Sequence, residues 1–244
     1  MKRPFRALRR TLGLLLVPVV LAAALFGGVL LANGQRMYHK AVQQLPVEQA
    51  AAQLRARDDF TPLSQLPAIY LDAVVAVEDH RFYRHPGLDP LSMARAVWVN
   101  LSSRSLAQGG STITQQLAKN LYFSHEKTFE RKIAEVFAVA ALERTLTKDE
   151  ILELYVNTIY FGAGCYSVGA AAQHFFGVPP AQLTAGQCVL LAGLPHAPSA
   201  YDPTDGDTAA ALQRQKQVLR RMVETGALTQ AEADAIAAEE VFAQ

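Results

Sequence analysis

The sequence predicts an all-α domain carried behind one N-terminal transmembrane helix, on three observations. No charged residue occurs from Thr11 to Ala32. Beyond Pro67 apolar residues recur at helical spacing almost without a break, punctuated by Thr-x-x-Glu/Gln capping signals and glycine stops. No period-two run of β-branched residues and no internal repeat accompanies them. The 244 residues, 50% of them apolar, suit one ordinary domain plus an appendage. Charge is balanced, 23 Lys+Arg against 22 Asp+Glu, and with this supply of Leu, Ile, Val and Phe it excludes a disordered chain. The two cysteines exclude a disulfide scaffold and a four-thiolate zinc module.

Residues 1–11 form a basic segment with five cations, Lys2, Arg3, Arg6, Arg9 and Arg10. Residues 12–32 follow as an apolar run of about 20 residues, or ~30 Å of helix, enough to cross a bilayer. A cleaved leader has a shorter apolar core, about 7–15 residues, so the run reads as a retained anchor, with Pro18 as a candidate kink. The cations before the span place the N-terminus in the cytoplasm and everything from about Asn33 onward outside. Residues 11–244 then carry 18 bases against 22 acids, a net of −4, which argues against nucleic acid as a partner. Outside the membrane Cys165 and Cys188 meet oxidising conditions and could pair, although two small buried thiols account for them as well, and the unpaired state is favoured.

Residues 33–66 read as a short juxtamembrane helix and connector, broken by Pro46 and Pro62, and residues 67–244 as the exported domain. A helix runs from Pro67 to about Arg81. Asp89-Pro90 supplies an N-cap and first-turn proline for a helix with Leu91, Ala94, Val97, Trp98 and Leu101 on one face. Ser111 is placed to cap the next helix after Gly109-Gly110. Thr147/Glu150, Thr184/Gln187 and Thr229/Glu232 have capping-box spacing, and Gly226 reads as a helix stop.

HExxH, CxxC, GxGxxG and Walker motifs are missing, so ATP and NAD are not expected. Ser124-His125-Glu126-Lys127 matches the SxxK of penicillin-binding transpeptidases, but no Ser-Asp-Asn or Lys-Thr-Gly accompanies it, and a helix-entry loop explains it. Three other blocks can carry chemistry. In Glu78-Asp79-His80-Arg81-Phe82-Tyr83-Arg84-His85-Pro86-Gly87 the first carboxylates stand where an apolar helix gives way to a loop, which suits Glu78 to general acid or base work. The bland account is a solvated helix end, and a metal set of Glu78, Asp79, His80 and His85 fits no zinc template. In residues 109–120, Thr112, Gln116 and Lys119 share one helical stripe while Ile113, Leu117 and Leu121 share another. A row of donors with a cation behind glycines suits a sugar or phosphate; an ordinary amphipathic surface is the alternative. In residues 129–137 Phe129, Ile133, Val136, Phe137 and Ala140 form the expected core face, with Arg131, Lys132 and Glu135 opposite. These three are either an exposed i,i+4 pair with a neighbour or a cationic pair for a diphosphate beside a second carboxylate.

Taken in order, ED-x-x-F-x-x-H-x-G, G-G-S-T-I-T-Q-Q-L-x-K-N, the block around Arg131 to Glu135, and Lys148-Asp149-Glu150-Ile151-Leu152-Glu153-Leu154-Tyr155-Val156-Asn157 resemble the peptidoglycan glycosyltransferase family from about Pro67 to the end of the chain. That family comprises monofunctional transglycosylases and the glycosyltransferase domains of class A penicillin-binding proteins. The resemblance implies a lysozyme-like helical fold at the outer face of the bacterial plasma (inner) membrane, single-pass and periplasmic. It implies polymerisation of lipid II into β-1,4 glycan with inversion and release of undecaprenyl diphosphate. Glu78 and Glu135 are implied as catalytic residues: Glu78 as general base, and Glu135 orienting the cluster of Lys119, Arg131 and Lys132 that takes the leaving diphosphate. Asp79, Phe82, His85, Ser111, Thr112, Gln116 and Asn120 match the rest of the substrate-binding cleft, and residues 100–110 the lid. A divalent cation (Mg or Mn) at the diphosphate is allowed, not required. Expected partners are lipid II, the growing glycan strand and the membrane, with transpeptidases or divisome and elongasome proteins allowed. Ser167 and Gln187 stand where Gly and Glu are usual, with a packing consequence expected. The stretch Ala197–Pro203 and the helix through Arg214, Val218, Leu219 and Met222 are more like bifunctional members, although the chain stops at Gln244. Two rivals remain: a wall-cleaving glycosidase of lysozyme type, and a catalytically silent anchored scaffold.

Overall fold

The computed structural model describes residues 3–103, 109–123, 128–205 and 208–242. Among them are eleven α-helices, short 3-10 turns and no strand; a single bridge joins Gly162 to Cys165. The chain is all-α, with one apolar N-terminal helix. That helix, α1 (Arg3–Gln44), passes through Pro18 unbroken. Val19, Leu21, Leu25 and Phe26 project from it with no protein against them, the condition of a helix whose neighbour is lipid. It anchors the chain to a membrane.

Past the span α1 docks on α6 (Phe129–Thr145). Gly34 permits the approach, since a Cβ there would lie 2.5 Å from Ile133 Cγ2, and Tyr38 stacks on Phe137 with centroids 5.8 Å apart. The next helix, α2 (Val47–Arg55), buries Val47, Ala50 and Ala51, and Arg55 pairs with Glu150 and Glu153. The centre of the domain is α9 (Ala185–Gly193), on which Cys188, Val189, Leu190 and Leu191 are wholly buried. Packed on it are α3 (Ala68–Glu78) and α10 (Thr208–Thr225), while α5 (Ile113–Tyr122) lies against α6 and α7 (Lys148–Val156). Completing the domain are α4 (Pro90–Ser103), α8 (Val168–Phe176) and α11 (Gln230–Ala237).

The three predicted capping boxes form on α7, α9 and α11, and Gly226 adopts φ +78° after α10. Both unusual residues have work to do. Ser167 caps α8 and donates to Asp59 Oδ2 at 2.7 Å, and Gln187 closes the α9 box while donating to Val241 O at 3.2 Å. Both cysteines are free and buried, and burial pushes the Cys188 thiol up to about 12. Residues 124–127, with the SxxK match, and 104–108 of the expected lid lie outside the described residues.

Three local expectations are corrected. The cap of α5 is Thr112, not Ser111: its buried hydroxyl donates to Gly87 O at 2.6 Å and accepts from Gln115 N, while Ser111 stays exposed. On α6 the buried face is Ala134, Glu135, Ala138, Val139, Ala141 and Leu142. The large residues expected in the core face elsewhere, Ile133 and Phe137 toward α1, with Phe129 78% exposed. The alanines let α6 press close to the core, so the smaller residues mark the buried side. On α4 Leu91, Trp98 and Leu101 are exposed and Ala96 is buried.

Candidate active site

The end of α3, the first turns of α5 and α6, and one face of α10 build the site. The last helical residue of α3 is Glu78, because Asp79 leaves helical geometry at φ −157°. Glu78 is therefore held rigidly at the edge of a cavity of about 590 Å³, also lined by its neighbour Asp79, by Ser111, Thr112, Gln116 and Lys119 from the α5 side and by Arg214 and Arg221 from α10. Gln116 Nε2 donates to Glu78 Oε2 at 2.6 Å, and the fully buried Tyr155 hydroxyl donates to Gln116 Oε1 at 3.4 Å. The amide is thus oriented with its donor toward the carboxylate.

Asp79 turns inward instead. His85 Nε2 lies 3.0 Å from both its oxygens, and Ile113 N donates to Oδ2 at 3.2 Å. Because Gly87 N donates to His85 Nδ1, that nitrogen is the acceptor, and Nε2 carries the proton given to Asp79. This buried network ties the loop after Glu78 to the first turn of α5, fixing Gln116 and Lys119 relative to Glu78. Asp89 lies beside it, but its oxygens bind Ser92, the Leu91 amide and, at 3.2 Å, Arg81. Each side chain of the Asp79–His85–Asp89 cluster already has a protein partner within hydrogen-bond distance.

A smaller cavity of about 260 Å³ adjoins, sharing Ser111, Gln116 and Lys119 and bounded by Arg131, Lys132 and Glu135. Glu135 is 1% exposed and pairs through one oxygen with Arg131 and through the other with Lys132 Nζ at 2.9 Å. It is a buried hub, not the exposed i,i+4 partner also considered for it. Lys119 and Lys132 are both held below their ordinary range, first by burial and then by Arg131. Three cations line a cavity that holds one carboxylate, an excess that a bound polyanion relieves. Among the described residues the lining offers a divalent cation one carboxylate, Glu135, whose oxygens already pair with Arg131 and Lys132.

The sequence-predicted residues divide. Glu78, Asp79, Thr112, Ser111, Gln116 and Lys119 line the larger cavity, and Lys119, Arg131, Lys132 and Glu135 come together at the smaller. Phe82 and His85 are buried beneath the loop, and Asn120 donates to Thr158 O at 3.4 Å; none of the three lines either cavity. Sequence reasoning assigned no site role to Arg214, His196 or Arg221, which line the larger cavity. A signal existed for Arg214: it falls in the i, i+4, i+8 stripe with the buried Val218 and Met222.

Residues 46–223 match the family model described as Transglycosylase. A Cupriavidus necator protein provisionally named a transglycosylase is 45% identical over 88% of this chain and 91% of its own length. Penicillin-binding protein 1A of Escherichia coli is 50% identical over 70% of this chain, which covers 20% of that protein, and that of Vibrio cholerae 47% over 74%, covering 22%. This chain thus spans about a fifth of those penicillin-binding proteins. The crystal structure of penicillin-binding protein 1A from Haemophilus influenzae matches with a TM-score of 0.44 and 23% identity over 76% of this chain and 18% of that one, too loosely to carry an argument. A match over most of the chain, with a relative of similar length at 45% identity, settles membership: the chain belongs to the transglycosylase family and is a peptidoglycan glycosyltransferase.

Proposed function

We propose that the chain polymerises lipid II, using Glu78 as general base on the 4-hydroxyl of the acceptor's N-acetylglucosamine. The alcohol attacks the donor's anomeric carbon, configuration inverts from α-phosphate to β-1,4 glycoside, and undecaprenyl diphosphate leaves. The observation that carries this reading is the pairing of one positioned carboxylate with a separate, adjoining cluster of Lys119, Arg131 and Lys132 around Glu135. Charge grows on the departing diphosphate as the bond breaks, and preorganised cations there lower the barrier. Arg131 supplies a planar fork for phosphate oxygens and Lys132 a compact charge.

The anchor supports the same reading. Gly34, two residues beyond the uncharged span, touches Ile133 on the first turns of α6, beside Arg131 and Lys132. With the N-terminus cytoplasmic, those cations lie next to the outer membrane surface, where a lipid-linked diphosphate sits. Among the described lining residues a glycosidase reading lacks a second free carboxylate: Asp79 is committed to His85 and Ile113, and Glu224 to Arg221. Purified full-length chain given lipid II is expected to yield glycan polymer and to leave finished glycan intact. Shortening of finished glycan, or no polymer, would overturn the reading.

A further inference from the structure

Among the described residues Arg214 is the only buried arginine or lysine, and it has no carboxylate partner. Its Nε donates to Gly193 O at 3.1 Å and its Nη1 to Gln217 Oε1 at 3.2 Å, while Tyr201 offers its ring 5.8 Å from Cζ. These neutral contacts orient the guanidinium without neutralising it. Gly193 makes the room, since a Cβ there would come within 2.9 Å of Arg214 Cγ. A guanidinium cannot escape burial by losing its proton, so the charge stays and faces the larger cavity. The acid whose field reaches it is Glu78. One helical face further on, Arg221 lines the same cavity but is already paired with Glu224.

Resting on the polymerase reading above, the chemistry then assigns the two cavities. Inversion requires the attacking hydroxyl and the leaving diphosphate on opposite faces of the anomeric carbon. Arg131 and Lys132 border only the smaller cavity, so the leaving group belongs there and the acceptor enters the larger one beside Glu78. The acceptor keeps its own diphosphate through the reaction. We propose that Arg214 binds the diphosphate of the acceptor lipid II, so that each of the two substrates is held by its own guanidinium, Arg131 for the donor and Arg214 for the acceptor.

The test separates the two substrates by using a donor whose terminal 4-hydroxyl is blocked, which cannot serve as acceptor. Initial rates of coupling are measured with the full chain while blocked donor and labelled lipid II are varied in turn. Arg214→Gln is expected to raise the acceptor KM at least about tenfold, the scale of one lost bidentate charged contact, with the donor KM unchanged. Equal changes in both constants, as a merely structural role for Arg214 at the end of α9 would give, or no change, would overturn the proposal. If Arg214→Gln melts early, Arg214→Lys carries the test, since it keeps the charge and the long stem and loses the fork; the same acceptor-selective rise is expected. An acceptor stripped of its stem peptide should show the same dependence on Arg214, and its loss would move the assignment from diphosphate to peptide carboxylates and overturn it. Absence of any coupled product from the unaltered chain would sink the polymerase reading instead, a distinct result.

Discussion

Glu135 holds two cations with two oxygens from a nearly waterless position, and this decides how the cluster responds to mutation. Replacing Arg131 and Lys132 together by Gln strands a buried carboxylate, a cost of about 3–5 kcal/mol when a buried ion loses its partners. The double variant should therefore melt early, and adding Glu135→Gln should restore melting without restoring turnover. Rates and thermal melting on both variants check this; recovered turnover in the triple variant would remove the cations from the chemistry. In the stable triple variant turnover should fall more than lipid II binding, because the diphosphate gains charge only as the bond breaks. Lys119 and Lys132 also set a pH limit. Their acidities are shifted so that each loses its proton below the ordinary lysine value of 10.5. Diphosphate affinity should be level at neutral pH and fall as pH rises through that lowered range, and titration of inorganic diphosphate binding measures it. At this scale the family resemblance singled out Glu78, Lys119, Arg131, Lys132 and Glu135, and the fold sets them on two adjoining cavities. For Arg214 the stripe shared with Val218 and Met222 signals burial, but the lack of a carboxylate partner shows only in three dimensions.

At the scale of elements, caps were the most legible feature, because a capping box is a local bargain between residues three apart. Thr147 illustrates it: its hydroxyl accepts from Glu150 N, and Glu150 in turn accepts from Thr147 N at 2.9 Å. Thr147→Ala should cost about 1 kcal/mol, read as a lower melting temperature with the helical content unchanged. The buried face of α6 was illegible because large residues dominate any hydrophobic pattern, and only the packing shows that Ala134, Ala138 and Ala141 seat the helix on the core. The same helix meets the anchor at Gly34. Gly34→Ala should cost about 1–3 kcal/mol, since its Cβ would overlap the stem of Ile133, whereas Gly28→Ala, which meets nothing within 4 Å, should not. Equal melting of the two variants would show that α1 does not seat on α6.

For the whole molecule the readable facts were the all-α class, the membrane anchor and the order of the motifs, each a property of long stretches of chain. How close two motifs come was not readable, and the division into two joined cavities, with Glu78 on one and Arg131 on the other, emerges only in three dimensions. The cations before the span predict that protease added outside spheroplasts digests residues 40–244; protection of that region would reverse the orientation. The account centres on Glu78 as the base of a lipid II polymerase. Glutamine at 78 keeps the size of the side chain and can still bond Gln116, but it cannot take a proton. The most direct measurement is glycan synthesis from lipid II by purified Glu78→Gln protein, with melting recorded alongside. A fall of about 100-fold or more with unchanged melting is the predicted result; near-normal synthesis from a normally melting protein would contradict it.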